Sequence, residues 1–192
     1  MKVLDQLLDE FHTAAAVCLN GVSTETVERA ASLLVNCEKC FVCGVGQTGT
    51  VARILSMKLN HVGLRAHTVY DEINPPFSPR DVLMCVSQSG QTDTILALAG
   101  KAKRIGGSLL AVTSHRASAL GDLADQTIVV PPVSTAVHFS ALAALGDRGE
   151  RNLEGAVFGL NIYVLFYALV LTIARLRGES PQSIDARHTN ME

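Results

Sequence analysis

Met84-Cys85-Val86-Ser87-Gln88-Ser89-Gly90-Gln91-Thr92-Asp93-Thr94 is the stretch that decides how the rest of this 192-residue chain is read. An apolar run from Val82 to Val86 stops in small hydroxyl residues, and a helical pattern with Ile95, Leu96, Leu98 and Ala99 as its apolar members follows at once. A strand that ends this way at the start of a helix makes an anion site. The first helical N–H groups lack partners within the helix, and the macrodipole favours negative charge there. Ser87, Ser89 and Thr92 add side-chain donors, and Gly90 lets the backbone approach a ligand. A plain N-cap by Ser89 or Thr92 accounts for one hydroxyl; three hydroxyls and a glycine within six residues predict a bound phosphate.

Outward from this stretch, strand, loop and helix repeat. The pattern predicts strands over 40–45, 65–70, 81–87, 108–114 and 126–130. Helices are predicted over 48–60, 92–105 and 118–124, the first two closed near Gly63 and Gly106-Gly107. Strands alternating with helices imply an α/β fold, a doubly wound five-stranded parallel sheet with right-handed crossovers. Ligands in such sheets bind beyond the carboxyl ends of the strands, where both glycine- and hydroxyl-rich loops emerge. Two amphipathic helices precede the first strand. One carries Leu4, Leu7, Leu8 and Phe11; the other is capped by Ser23 and carries Val27, Ala31, Leu34 and Val35 on one face. They read as an N-terminal extension over 1–36 that packs against a second subunit, and 179–192 reads as a C-terminal tail of the same single domain.

Gly155 to Ala174 holds no charged residue and has the length of a membrane span. Asn161, Tyr163, Tyr167 and Thr172 interrupt it, and the preceding pattern is that of a soluble α/β protein. It therefore reads as a long apolar helix buried in the core or between subunits. A formal net charge of −2, with Lys and Arg scattered, argues against a broad nucleic-acid surface. The acidic, amphipathic N-terminus lacks the core of a signal peptide, which points to the cytoplasm. Cys18, Cys37, Cys40, Cys43 and Cys85 are an odd set from which no disulfides are expected. Cys37-x-x-Cys40-x-x-Cys43 opens like an iron–sulfur run, but the fourth cysteine and its proline are missing, so no metal is expected.

Gly44-Val45-Gly46-Gln47-Thr48-Gly49 also matches the dinucleotide fingerprint, with Asp71 and Glu72 following near the place of a ribose-binding acid. A dinucleotide-binding module stays open on that ground. The chain offers no second domain for a hydride-transfer substrate, and the second loop would have no work beside a dinucleotide. A structural role for these glycines in helix–strand packing is the other reading.

Taken together, Gly44-Val45-Gly46-Gln47-Thr48-Gly49 and Ser87-Gln88-Ser89-Gly90-Gln91-Thr92 resemble the two loops of the sugar isomerase (SIS) domain family. Met57-Lys58-Leu59-Asn60-His61-Val62-Gly63 and Arg187-His188-Thr189-Asn190-Met191-Glu192 are similar to its 6-phospho-3-hexuloisomerase branch. The resemblance implies an SIS-type fold, a phosphorylated sugar as ligand, no cofactor or metal, and a homodimer or homotetramer with sites at subunit boundaries. It implies substrate contacts from Gly46, Gln47, Thr48, Asp71, Ser87, Gln88, Ser89, Gly90, Gln91 and Thr92. Of these, Thr48, Ser87, Ser89 and Thr92 would hold the phosphate. The implied reaction moves a carbonyl between C3 and C2 of a hexulose 6-phosphate through an enediol, which needs a base and a group that steadies the oxyanion. These isomerases carry a glutamate directly after a phenylalanine that matches Phe158, and this chain has Gly159 there. Glu154 is the replacement candidate, and its plain role is an acid near a helix N-terminus. His188 is the second candidate, since histidine can both give and take a proton near neutral pH. His12, His61, His67, His115 and His138 form no ligand-spaced pair and read as structural or exposed. A non-catalytic phosphosugar sensor on the same fold is the alternative that the missing glutamate favours.

Overall fold

The computed structural model describes residues 3–132 and 146–190. Five short strands form one sheet: β1 (Cys40–Cys43), β2 (Ala66–Thr68), β3 (Val82–Val86), β4 (Ser108–Thr113) and β5 (Gln126–Val129). Their order is β2-β1-β3-β4-β5, and every neighbouring pair is parallel. Helices α1 (Val3–Asn20) and α2 (Thr24–Val35) precede the sheet. Helices α3 (Gly46–His61), α4 (Asp93–Ile105) and α5 (Ala119–Leu123) connect the strands, and α6 (Gly146–Arg177) and α7 (Pro181–Asp185) follow.

Parallel strands covered on both faces need apolar side chains on both sides, and β1 and β3 are buried at every position. The period of two then divides them between two cores. Cys40, Val42, Met84 and Val86 pack with α2, α3 and α6, whereas Phe41, Cys43, Leu83 and Cys85 pack with α4 and α5. The strands are shorter at their carboxyl ends than the sequence pattern predicts, because the connecting loops begin there. β1 stops at Cys43, where Gly44 turns the chain onto Gly49, and β3 stops at Val86.

The long apolar segment is part of a helix that begins earlier than expected, at Gly146, and runs to Arg177. Among the described residues, Glu154–Arg177 is long and apolar enough to cross a bilayer, yet about half of its apolar window is buried in the protein. Val157, Phe158, Ile162, Leu165, Leu169 and Ile173 form its inward face. The sequence reading assigned both leading helices to subunit packing. Helix α2 instead closes the core of its own chain, burying Val27, Ala30, Ala31 and Leu34 against α6. Helix α1 buries Ala14 and Cys18 and leaves Leu4, Leu8 and Val17 exposed.

Between β1 and β3 the connections diverge: α3 leads to β2 on one side and α4 to β4 on the other. A crevice opens above the carboxyl ends of strands at such a point. The loops Gly44–Gly49 and Ser87–Thr92 form its two banks. In register beneath them, Cys43 and Cys85 bring their Sγ atoms to 3.3 Å.

Candidate functional site

The second loop is held by its own polar groups. Ser87 extends the sheet by one bond, its N–H donating to the Val112 carbonyl at 3.0 Å, and its buried hydroxyl lies 3.0 Å from that of Thr92. The Gly90 N–H donates to the Ser87 carbonyl at 3.2 Å, and the Gln91 N–H donates to Ser89 Oγ at 3.2 Å. Gly90 has φ +64°, and a Cβ there would run into Ser118 and Thr113, so glycine is required on conformational and steric grounds.

Thr92 occupies the N-cap position of α4 but makes no capping bond; its hydroxyl is given to Ser87 instead. Val45 at the N-cap of α3 likewise provides none. Helices α2 and α7, away from the crevice, are capped by Ser23 and Ser180, and α5, which packs behind the second loop, is capped by Ser118. The two helices that point their N-termini at the crevice therefore keep unpaired first-turn N–H groups for an anion. This goes beyond the plain-cap reading of the hydroxyls. In the first loop, a Cβ on Gly49 would lie 2.5 Å from the Gly44 carbonyl oxygen, and Gly46 has φ +64°. Close packing of strand end on helix start accounts for that glycine pattern without a dinucleotide.

A cavity of about 410 Å³ lies between the banks, within the size range of small-molecule sites. Thr48 of α3, the residues Ser87, Gln88, Ser89 and Thr92 of the second loop, and Glu154 of α6 all line it. Helix α6 thus carries a carboxylate to the hydroxyl cluster from far along the sequence. The cavity is also lined by His115, which the sequence reading set aside as structural or exposed. Its place directly beyond β4, at the carboxyl end of a parallel strand, was the signal that could have found it.

The remaining sequence candidates lie elsewhere. Gly46 lines a neighbouring cavity of about 460 Å³, together with Arg53, Thr68 and Tyr70. Gly90 packs behind the loop, and Gln91 is exposed. Asp71 is exposed on the turn after β2, where its carbonyl accepts from Asn74 at 2.8 Å, and it lines neither cavity. Gln47 lies over Gly159: a Cβ on Gly159 would be 3.0 Å from Gln47 Nε2. The position at which the resemblance calls for a glutamate thus faces the start of α3.

His188 is placed at the opposite pole. Its ring stacks on His61 at the end of α3, with centroids 3.9 Å apart, and the helix rises roughly 20 Å from Thr48 to His61. Burial lowers the His61 pKa, with His188 and Lys58 adding to the effect. The tail is anchored there by Arg187, which donates to the His61 carbonyl at 3.1 Å and to Glu179 at 2.7 Å. Hydrogen bonds from Arg187 and Ser183 hold the Glu179 carboxyl down at about 2. His138 and the pair Met191 and Glu192 lie outside the described residues.

The SIS domain family model matches residues 33–145. The 3-hexulose-6-phosphate isomerase of Bacillus subtilis is 27% identical over 191 residues, spanning 97% of this chain and 96% of that enzyme. A crystal structure of a hypothetical protein superposes with a TM-score of 0.87 at 28% identity, covering 98% of this chain and 97% of that one. The sugar isomerase domain of an RpiR transcription factor from Sphaerobacter thermophilus shares the fold, with a TM-score of 0.72 at 19% identity over 97% of this chain and 96% of that one.

Proposed function

The chain belongs to the SIS domain family, and we propose that it is a phosphosugar isomerase interconverting a 3-hexulose 6-phosphate and fructose 6-phosphate. One observation carries this reading: Glu154 and the hydroxyls of Thr48, Ser87, Ser89 and Thr92 line a single cavity at two uncapped helix N-termini. The hydroxyls and first-turn N–H groups bind the phosphate. That group is remote from the reacting carbons, so its binding energy serves to position them.

Starting from the 3-hexulose, Glu154 takes the proton from C2, beside the C3 carbonyl. The electrons of the C2–H bond form the C2–C3 double bond, and the C3 oxygen takes up a proton to give the 2,3-enediol. Loss of the C2 hydroxyl proton and delivery of a proton to C3 then complete the ketone at C2. No electron leaves the substrate, so the cycle is closed by proton transfers alone. His188 lies far from its own cavity, and the outward side of α6 exposes Leu160, Tyr163, Val164, Tyr167 and Leu171. Both observations support a homodimer or homotetramer in which the partner subunit's His188 serves as the second proton-transfer group. Gly46 lines the adjoining cavity, where the sugar hydroxyls extend, whereas Asp71 and Gln47 line neither cavity.

Incubation with fructose 6-phosphate in D₂O tests the reaction. Deuterium at C3 and accumulation of a 3-hexulose phosphate are expected. Saturable binding without exchange would instead establish the second reading, a phosphosugar sensor, which Gly159 in place of the family's acid favours. Sedimentation velocity tests the assembly, and a monomer at micromolar concentration would rule out a shared site.

A further inference from the structure

Among the described residues that line the phosphate cavity, His115 and Glu154 are the titratable ones; the remaining polar side chains are hydroxyls and the amide of Gln88. The backbone of His115 is fixed against the phosphate loop. The Ser114 N–H donates to the Gln88 carbonyl at 2.9 Å, Thr113 Oγ1 donates to the same carbonyl at 3.0 Å, and the Leu120 N–H donates to the Gly90 carbonyl at 3.0 Å. His115 donates its own N–H to Thr113 Oγ1 at 3.2 Å, and its carbonyl accepts from Ser118 Oγ at 2.7 Å. The ring is left free: it is exposed to the cavity, and neither ring nitrogen bonds a protein group among the described residues.

A tetrahedral dianion in this cavity meets neutral donors on the loop and a carboxylate from α6. A free imidazole on a rigid turn beside the loop is the group able to supply a positive charge. We infer that His115 is a phosphate ligand of this site, its imidazolium donating to the phosphoryl oxygens that the loop hydroxyls also hold. The inference rests on the reading of the cavity as a phosphosugar site. It makes binding proton-coupled, because the protonated ring binds the dianion and the neutral ring does not attract it. Affinity therefore falls with rising pH. Of the other charged groups nearby, Glu154 of α6 lines the same cavity. Arg116 is engaged within its own turn, donating to the Gly121 carbonyl at 2.9 Å. His115 thereby selects phosphate monoesters over neutral sugars.

Calorimetric titration of the full chain and of His115→Gln tests this, with two probes between about pH 5.5 and 8.5. Sulfate keeps its double negative charge throughout, and fructose 6-phosphate reports on the intended ligand. For the unaltered chain, sulfate affinity should fall about tenfold across the range, the scale of one charge-assisted hydrogen bond. His115→Gln should show a flat sulfate profile that meets the unaltered chain at the alkaline end. Proton uptake, read from buffers of different ionisation enthalpy, should vanish in the variant. Parallel pH profiles for the two proteins would overturn the assignment, as would loss of pH dependence in Glu154→Gln but not in His115→Gln. If fructose 6-phosphate fails to bind either protein at any pH, the phosphosugar reading itself falls. If it binds and His115→Gln keeps the full pH dependence, the role of His115 alone falls.

Discussion

Replacing Thr92 by valine removes one hydroxyl from the phosphate loop and changes little else in shape. Two consequences separate in magnitude. In the free protein the hydroxyl's partner is Ser87 Oγ at 3.0 Å; losing one neutral hydrogen bond costs about 1 kcal/mol, and more as Ser87 is buried. The N-terminus of α4 loses no cap, because Thr92 makes none. On the phosphosugar reading the same hydroxyl faces a charged phosphoryl oxygen in the complex, where a hydrogen bond is worth about 1.5–3 kcal/mol. Affinity for fructose 6-phosphate should therefore weaken by about 10- to 150-fold, while thermal unfolding shifts by only a few degrees. Calorimetric titration with parallel melting curves reads both quantities on the same samples. A stability loss of the expected size with affinity changed less than twofold would show that Thr92 merely braces the loop, and the phosphate reading would go with it.

Further tests reach other parts of the site. Glu154→Gln should lower kcat by about 10²- to 10⁴-fold, the usual worth of a general base, with fructose 6-phosphate affinity nearly unchanged; full turnover would remove Glu154 from the mechanism. Gly90→Ala forces a positive-φ residue into Ser118 and Thr113 and should cost at least about 2 kcal/mol in denaturant unfolding; a neutral result would contradict the loop geometry. The Glu179 carboxyl is held down at about 2, chiefly by Arg187, against about 4.3 in an unfolded chain. A depressed carboxylate stabilises above its unfolded pKa and loses that contribution as pH falls. The tail should therefore release between about pH 4.5 and 2, and Arg187→Ala should release it at neutral pH, both seen as faster amide exchange over residues 181–190. Unchanged protection in Arg187→Ala would show that the stack on His61 suffices.

Local chemistry made the second loop readable. An apolar run that breaks into Ser-Gln-Ser-Gly-Gln-Thr before a helix has few physical meanings, and the parallel sheet follows from the alternation of strands and helices. The loop boundaries were harder, because the contact between Gly49 and the Gly44 carbonyl ends β1 sooner than its apolar residues suggest. The place of His115 on the cavity is hidden from the sequence because it depends on β4 pairing with β3, a non-local fact that brings the 113–118 turn against Gln88. The distance of His188 from its own cavity has the same origin. The resemblance of the tail holds no record of which pole of α3 it docks on. Helix α2 was misjudged for a related reason: its apolar face has the same spacing whether it covers its own chain or another's.

If two helices that meet a crevice without side-chain caps hold a sugar phosphate there, as proposed, they also tie the lifetime of the protein to that metabolite. A ligand that completes their hydrogen bonding binds the native state and not the unfolded chain, and at a hundred times its Kd it adds about 2.7 kcal/mol. In a cell, proteases sample the unfolded fraction, which such a shift lowers roughly a hundredfold. Protein made while sugar phosphate is plentiful should persist, and protein made in its absence should be cleared. Abundance would then track supply of the sugar without any change in the rate of synthesis.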